Sequence, residues 1–233
     1  MSEFLTVSER FYSLQGEGAT MGVPSVFLRL AGCNLLCQSK TWVCDTIEVW
    51  QKGIKTPFHE VLQGEDCFDR LHQGAHLVIT GGEPLLHQRK LVHFLKWFEL
   101  AYGWLPFIEV ETNGTIMPDD YLLEIVKQWN CSPKLSNSGE PNEKRFKPLV
   151  LDTLNQFQNT IFKFVVGEES DIVEVISEFS EHISSDKLCL MPAGETQEKL
   201  AKTRLIAADA AIKLGIRYSE RLHIVIWNQK TGV

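Results

Sequence analysis

Short runs of apolar and β-branched residues recur along the chain at 26–30, 77–80, 107–110, 134–135, 161–166, 187–191 and 222–227. Their length and composition predict buried strands. Between them lie amphipathic segments of helical length at 86–101, 119–129, 169–183 and 197–214, which predict helices with one apolar face. Pro118 followed by Asp119 and Asp120 marks a helix start, since proline suits the first turn and carboxylates favour the positive end of the helix dipole. Alternating strands and helices predict a mainly parallel sheet, because parallel neighbours need a crossover. Six or seven such units in 233 residues fall short of the about 250 residues typical of a complete eight-stranded barrel. The expected fold class is therefore α/β, a partial TIM-like (βα) barrel of about six parallel strands, with a flat doubly wound sheet as the alternative. Both place function on loops at the carboxyl ends of the strands. No repeat or linker interrupts the pattern, although 137–142 reads as an exposed loop, so a single domain over 1–233 is expected.

Three of those carboxyl ends carry candidate chemistry. Cys33, Cys37 and Cys44 follow the run at 26–30 with spacing C-x3-C-x6-C. Thr80-Gly81-Gly82-Glu83-Pro84 follows the second run, and Glu111-Thr112-Asn113-Gly114 follows the third. All three are expected at one mouth. Three thiolates with no histidine or fourth cysteine close by leave a metal one ligand short, which argues against the closed four-ligand shell of structural zinc. They suit a four-iron, four-sulfur cluster with one iron open to a small molecule. Three structural thiols in a buried turn are the alternative. Gly81 and Gly82 let the backbone approach a ligand without interference from Cβ, but a Gly-Gly pair alone is more often a turn.

Composition narrows the classes. A net charge of -7 and a pI near 5.5 repel a phosphate backbone over most of the surface, so no nucleic-acid partner is expected. No apolar run approaches the roughly 18 residues of a membrane span, and no secretory signal is visible. A cytoplasmic location without a membrane partner is the default expectation. That compartment keeps thiols reduced, so six cysteines suggest metal ligands and free buried thiols over disulfides. Cys67, Cys131 and Cys189 lack partners at metal spacing and read as buried small hydrophobes. Phe94, Trp97 and Phe98, at helical spacing, read as core or subunit contact.

The cysteine loop with its x3 first gap, the Gly81-Gly82-Glu83-Pro84 turn and the polar Glu111-Thr112-Asn113 stretch together resemble the radical S-adenosylmethionine enzymes. That resemblance implies a cluster held by Cys33, Cys37 and Cys44, with S-adenosylmethionine on its open iron. A closer resemblance, to the 7-carboxy-7-deazaguanine synthases, is carried by 11–18, Arg29, Cys44-Asp45-Thr46, 80–84, Ser132-Pro133-Lys134 and the terminal stretch from Leu222-His223-Ile224 to Gly232-Val233. It spans nearly the whole chain. It implies a partial barrel of the radical S-adenosylmethionine type, a homodimer, and conversion of 6-carboxy-5,6,7,8-tetrahydropterin to 7-carboxy-7-deazaguanine with loss of ammonia, in queuosine or deazapurine biosynthesis. It further implies Mg2+ as a helper and an external electron donor of flavodoxin or ferredoxin type. By position, Leu14, Gln15, Gly16, Arg29, Thr80 and Val233 would contact the pterin substrate. Val43, Cys44, Asp45, Gly82, Ser132, Pro133, Lys134 and the stretch Met191, Pro192, Ala193, Gly194 would surround S-adenosylmethionine, and Thr46 would ligate magnesium. The terminal segment ending at Val233 would close over the substrate. Six residues separate Cys37 from Cys44 where the family's commoner pattern has two, and Met191 replaces a more usual glutamine. Four extra residues cost little closure entropy, so the departure bears on loop shape more than on ligation.

Several residues carry open alternatives on their own chemistry. Arg29, inside an apolar strand, needs an anion, either the substrate carboxylate or Glu17 in a structural pair. Glu109 and Glu111 share a strand face, as acid and base or as solvated rim charges. Lys134 suits an adenosine hydroxyl or carboxylate, or is an ordinary exposed lysine. His223, read as part of an alternating Arg221, His223, Val225 face, either approaches substrate or is a satisfied core histidine. A radical activase acting on a partner protein's glycine and a non-catalytic iron-sulfur or zinc module remain as other classes. The stretch Gln15-Gly16-Glu17-Gly18 favours a small-molecule enzyme over both.

Overall fold

The computed structural model describes residues 3–39, 43–44, 46–64, 66–230 and 232. Its strands are β1 (Phe4–Leu14), β2 (Pro24–Leu30), β3 (Ile54–Pro57), β4 (His76–Gly81), β5 (Ile108–Thr112), β6 (Gln128–Cys131), β7 (Thr160–Val166), β8 (Leu188–Pro192) and β9 (Arg217–Tyr218). Its helices are α1 (Ile47–Trp50), α2 (Cys67–His72), α3 (Gln88–Tyr102), α4 (Asp120–Ile125), α5 (Asn142–Arg145), α6 (Pro148–Asn155), α7 (Glu169–Glu174), α8 (Gln197–Leu214) and α9 (Leu222–Trp227). None is long and apolar enough to cross a membrane among the described residues.

The strands form one sheet in the order β3-β1-β2-β4-β5-β6-β7-β8-β9. β1 runs antiparallel to β2 and β3, whereas every neighbouring pair from β2 to β9 is parallel. The period-2 pleat sorts the side chains of this parallel run into two unlike faces. One parity, Val26, Leu28, Leu77, Ile79, Ile108, Val110, Trp129, Phe162, Phe164, Leu188 and Leu190, belongs to the apolar core. That core also takes Leu91, Phe94, Leu95 and Phe98 of α3, and Ala207 and Ala211 of α8. Each such Leu or Phe contributes about 1.5–3 kcal/mol by leaving water. The other parity places Arg29, Thr80, Glu109, Glu111, Asn130 and Lys163 on the inner face. Charged side chains thus occupy the inside of the sheet while its outside is greasy.

Among the described residues β3 and β9 do not pair with each other, so the barrel is partial. The segment after β1 folds across the inner face instead. Gly18 donates its N–H to Ser219 Oγ at 2.8 Å, and the Leu222 N–H reaches the Gly16 carbonyl at 2.8 Å. One backbone-to-backbone bond and one backbone-to-side-chain bond, rather than strand pairing, bridge the opening.

The alternation predicted the parallel run, but several boundaries differ. Residues 134–135 are not a strand; the strand of that unit is β6, and the helix expected over 119–129 stops at Ile125. Asp119 caps that helix by accepting from the Tyr121 N–H at 3.0 Å. The apolar run at 222–227 is α9, not a strand, so Arg221, His223 and Val225 do not share an alternating face. The helix expected over 169–183 is α7 followed by a wider π turn over Val175–Phe179. β1, β3 and β9 had no counterpart among the expected strands.

Candidate active site

The loops after β2, β4 and β5 do meet at one mouth. They border a cavity of about 520 Å³, within the usual range for a small-molecule site. Cys33, Cys37 and Cys44 lie on its wall together with Thr46, Thr80, Gly81, Gly82, Thr112, Asn113, Ser132 and Lys134. Glu83, fully buried, fastens the second loop to the third: it accepts from the Leu85 N–H at 2.9 Å, the Asn113 N–H at 2.7 Å and the Thr112 hydroxyl at 3.0 Å. Burial nevertheless pushes its carboxyl up to about 7, against the pull of those donors. Asn34 ties the cysteine loop to the same place, donating to Thr115 Oγ1 at 2.8 Å and accepting from Asn113 Nδ2 at 3.0 Å. The Leu36 N–H is held by the Glu140 carboxylate.

The long gap between the second and third cysteines closes on itself. Gln38 and Val43 form an antiparallel bridge, and the Cys44 N–H donates to the Cys37 carbonyl at 3.0 Å. The two cysteines are therefore neighbours at the neck of a small hairpin. Burial raises the thiol of Cys33 and pushes that of Cys37 up to about 11, with Lys134 opposing both shifts. Among the described residues no three His, Cys, Asp or Glu side chains converge closely enough for a single metal ion. Three thiols spread over one wall suit donors that each take a different iron of one cluster, and they fit that group better than a zinc ion.

Deeper in the barrel the inner-face charges form a connected network. Lys163, 1% exposed, donates to Glu111 Oε2 at 2.7 Å and Glu17 Oε2 at 3.1 Å. Arg221 donates from Nε to Glu17 Oε1 at 3.1 Å and from Nη1 to the Gly194 carbonyl at 2.7 Å. Glu111 Oε1 accepts from Gln15 Nε2 at 3.2 Å and Asn130 Nδ2 at 3.0 Å. Glu109 accepts from Thr20 at 2.6 Å and pairs with His76 Nδ1 at 2.6 Å. Burial raises the Glu111 carboxyl, with Lys163 opposing. At Glu17 burial acts upward too, but Lys163 and Arg221 together outweigh it and hold the group well below the usual carboxylate range.

The predicted residues divide clearly. Leu14, Gln15, Gly16, Arg29, Val43, Thr46, Thr80, Gly82, Ser132, Lys134 and Met191 all line the cavity with the three cysteines. Pro133, Pro192, Ala193 and Gly194 are not on its wall. Two of their carbonyls are already engaged, Gly194 with Arg221 and Ala193 with the Thr203 hydroxyl at 2.5 Å. Asp45 and Val233 lie outside the described residues. Arg29 has a structural partner, but it is Glu9 at 2.7 Å and not Glu17. Neither Glu109 nor Glu111 is a solvated rim charge: Glu109 is fully buried, and Glu111, held by Lys163, borders the cavity. His223 borders the cavity at partial exposure, 4.0 Å from Glu17. Lys134 is anchored by Ser132 through its carbonyl and hydroxyl, each at 3.0 Å. Cys67, Cys131 and Cys189 are buried, as expected. Glu17, Lys163, Arg221 and Glu83 were not singled out as site residues. Lys163, alone in the apolar run 161–166, carried the same signal as Arg29.

Comparison with known proteins bears on this geometry. A family profile described as a 4Fe-4S single cluster domain matches residues 14–117. The 7-carboxy-7-deazaguanine synthase of Halobacterium salinarum is 34% identical over 96% of this chain and 91% of its own. That of Pyrobaculum aerophilum is 35% identical over 97% and 96%. The chain belongs to the 7-carboxy-7-deazaguanine synthase family. Among solved structures, that of QueE from Escherichia coli superimposes with a TM-score of 0.69 at 25% identity, covering 95% of this chain and 96% of that one. Membership makes this a radical S-adenosylmethionine enzyme, with a 4Fe-4S cluster and S-adenosylmethionine as cofactors.

Proposed function

We propose that this chain converts 6-carboxy-5,6,7,8-tetrahydropterin to 7-carboxy-7-deazaguanine with loss of ammonia, in queuosine or deazapurine biosynthesis. The observation that carries the reading is one cavity in which three cysteine thiols face the polar Gln15, Arg29, Thr80 and Lys134, in a chain matching the named relatives over nearly its full length. Cys33, Cys37 and Cys44 hold the cluster. When bound, the cluster and S-adenosylmethionine supply the one-electron chemistry that begins the rearrangement.

The chain's own residues bind and orient. Gly82, Ser132 and Lys134, with Val43, Cys44, Asp45 and Met191, surround S-adenosylmethionine, while Pro133, Pro192, Ala193 and Gly194 back that wall without lining it. Lys134, pinned by Ser132, offers a fixed cation to an anionic group. Leu14, Gln15, Gly16 and Thr80 flank the pterin, and Val233 closes over it. Arg29 keeps its guanidinium in place through Glu9 and the Gly81 carbonyl and presents its remaining N–H groups to the substrate carboxylate. The Thr46 hydroxyl, 3.4 Å from Cys44 Sγ, contributes one oxygen to a magnesium ion, a metal that keeps most of its shell as water and substrate oxygens. A single domain, a homodimer, a cytoplasmic location and a flavodoxin- or ferredoxin-type electron donor complete the reading.

Anaerobic reconstitution tests it. With reductant, magnesium and S-adenosylmethionine, the carboxypterin is expected to yield 7-carboxy-7-deazaguanine, and Cys44→Ala is expected to yield none. A fully loaded wild-type sample that leaves the carboxypterin unchanged would overturn the assignment.

A further inference from the structure

Glu17 borders the cavity immediately after the Leu14-Gln15-Gly16 stretch, and no role above requires it to touch substrate. Among the described residues Oε2 accepts from Lys163 and Oε1 from Arg221, both at 3.1 Å, and His223 Nε2 stands 4.0 Å from Oε1. A carboxylate has about four acceptor directions, so these two bonds leave acceptor directions to spare. Glu111, the other carboxylate on Lys163, is more fully engaged, with Gln15 and Asn130 on one oxygen and Lys163 on the other. Lys163 and Arg221 also keep Glu17 ionised. The site therefore presents a rigid anionic acceptor with room for two further donors. A pterin carries such a pair, N2–H and N3–H side by side on its 2-amino-4-oxopyrimidine ring, and parallel N–H groups are what a carboxylate receives in bidentate fashion.

We propose that Glu17 reads this edge of the substrate, accepting from N2–H and N3–H, and thereby selects a pterin over its 2-oxo counterpart, a lumazine. The inference rests on the carboxypterin reading given above. In the lumazine an oxygen replaces the amino group, so an acceptor would face an acceptor. A site built around a hydrogen bond rejects an analogue lacking the donor strongly, because its own buried group is left unpaired. If Glu17 served only to tie Lys163 to Arg221, its loss would weaken both ligands alike.

Equilibrium binding separates the two cases. The chain, with its cluster reconstituted and S-adenosylmethionine bound, would be titrated calorimetrically with the non-reacting aromatic ligands 6-carboxypterin and 6-carboxylumazine. Wild type is expected to favour the pterin at least about a hundredfold. Glu17→Gln should narrow the ratio to within about threefold or invert it, since the amide accepts from N3–H while donating to the 2-oxo group. A wild type that does not distinguish the ligands, or a Gln variant with the wild-type ratio, would overturn the proposal. Should Glu17→Gln fail to fold by circular dichroism, Glu17→Asp keeps the charge but withdraws it by one methylene. It is expected to weaken the pterin at least tenfold more than the lumazine, and equal weakening would overturn the proposal. Turnover is scored separately: wild type that selects the pterin but forms no deazaguanine defeats the reaction assignment alone, whereas normal turnover with an unchanged binding ratio defeats the role of Glu17 alone.

Discussion

Glu83 shows how a single side chain can serve a site it never touches. Its carboxyl is fully buried and joins the loop after β4 to the loop after β5, which is the geometry a shared mouth requires. Its protonation behaviour follows from burial. The folded-state value of about 7 lies above the ordinary 4.5, so between those pH values the folded chain holds a proton that the unfolded chain has released. Stability contributed by Glu83 is thus fully present below about pH 4.5 and is lost as pH rises toward 7, a contrast of roughly 3 kcal/mol. Urea unfolding at pH 5 and pH 7 checks this: the stability difference between wild type and Glu83→Gln is expected to shift against wild type as pH rises. A difference that holds constant would show that the donors from Leu85, Thr112 and Asn113 fully compensate the burial. Lys163 is the complementary case, a buried cation stabilised by two carboxylates, and it was as visible in the sequence as Arg29 because both interrupt apolar runs.

At the scale of elements, the turn after β4 is constrained by the chain itself. A Cβ on Gly82 would collide with the Cys33 side chain and stand 2.5 Å from the Gly32 carbonyl. Glycine there lets two loops abut, a reason that stands beside the approach to a ligand that the sequence suggested. Gly82→Ala is therefore expected to lower iron content after reconstitution at least several-fold while leaving the far-ultraviolet circular dichroism of the sheet unchanged; full iron loading would refute the close-approach argument. The parallel strands were legible because their outer parity is apolar and β-branched. β6 was not, since Gln128 and Asn130 look solvent-facing in sequence but point into a polar interior, where Asn130 donates to Glu109 and Glu111. α9 misled in the opposite sense. Its run Leu222–Trp227 has strand-like residues, yet its C-terminal end is fastened to the start of α8, with Gln197 donating to the Val225 carbonyl at 2.7 Å and to Asn228 Oδ1 at 3.0 Å. Tertiary contacts override local propensity at such chain ends. β1 mixes polar and apolar residues in Phe4–Leu14 too irregularly for a period-2 reading, and only its position between β2 and β3 explains it.

On the scale of the whole molecule, the open side of the sheet is held by charge and by two hydrogen bonds between the segment after β1 and the segment after β9. Arg221 is central, since it bonds Glu17 on one side and the Gly194 carbonyl on the other. Arg221→Ala is expected to destabilise the fold by about 1.5–3 kcal/mol, the range for hydrogen bonds to a charged group. Amide exchange should localise the effect: the N–H groups of Gly18 and Leu222, bonded to Ser219 and Gly16, are expected to exchange faster while those of Val78, Ile79 and Val110 keep their protection. Uniform acceleration would mean that the closure is not a separate unit. The candidate site was legible to the extent that it lies on strand-end loops with distinctive residues; the closure was not, because it joins Glu17 and Gly18 to Ser219 and Arg221 across about two hundred residues of sequence. The hairpin neck between Gln38 and Val43 has a consequence of its own. Residues can be threaded into or out of the stretch beyond that neck without separating the two cysteines at its base, so evolution is free to vary the count between them, and a signature written as a fixed interval would pass over chains like this one.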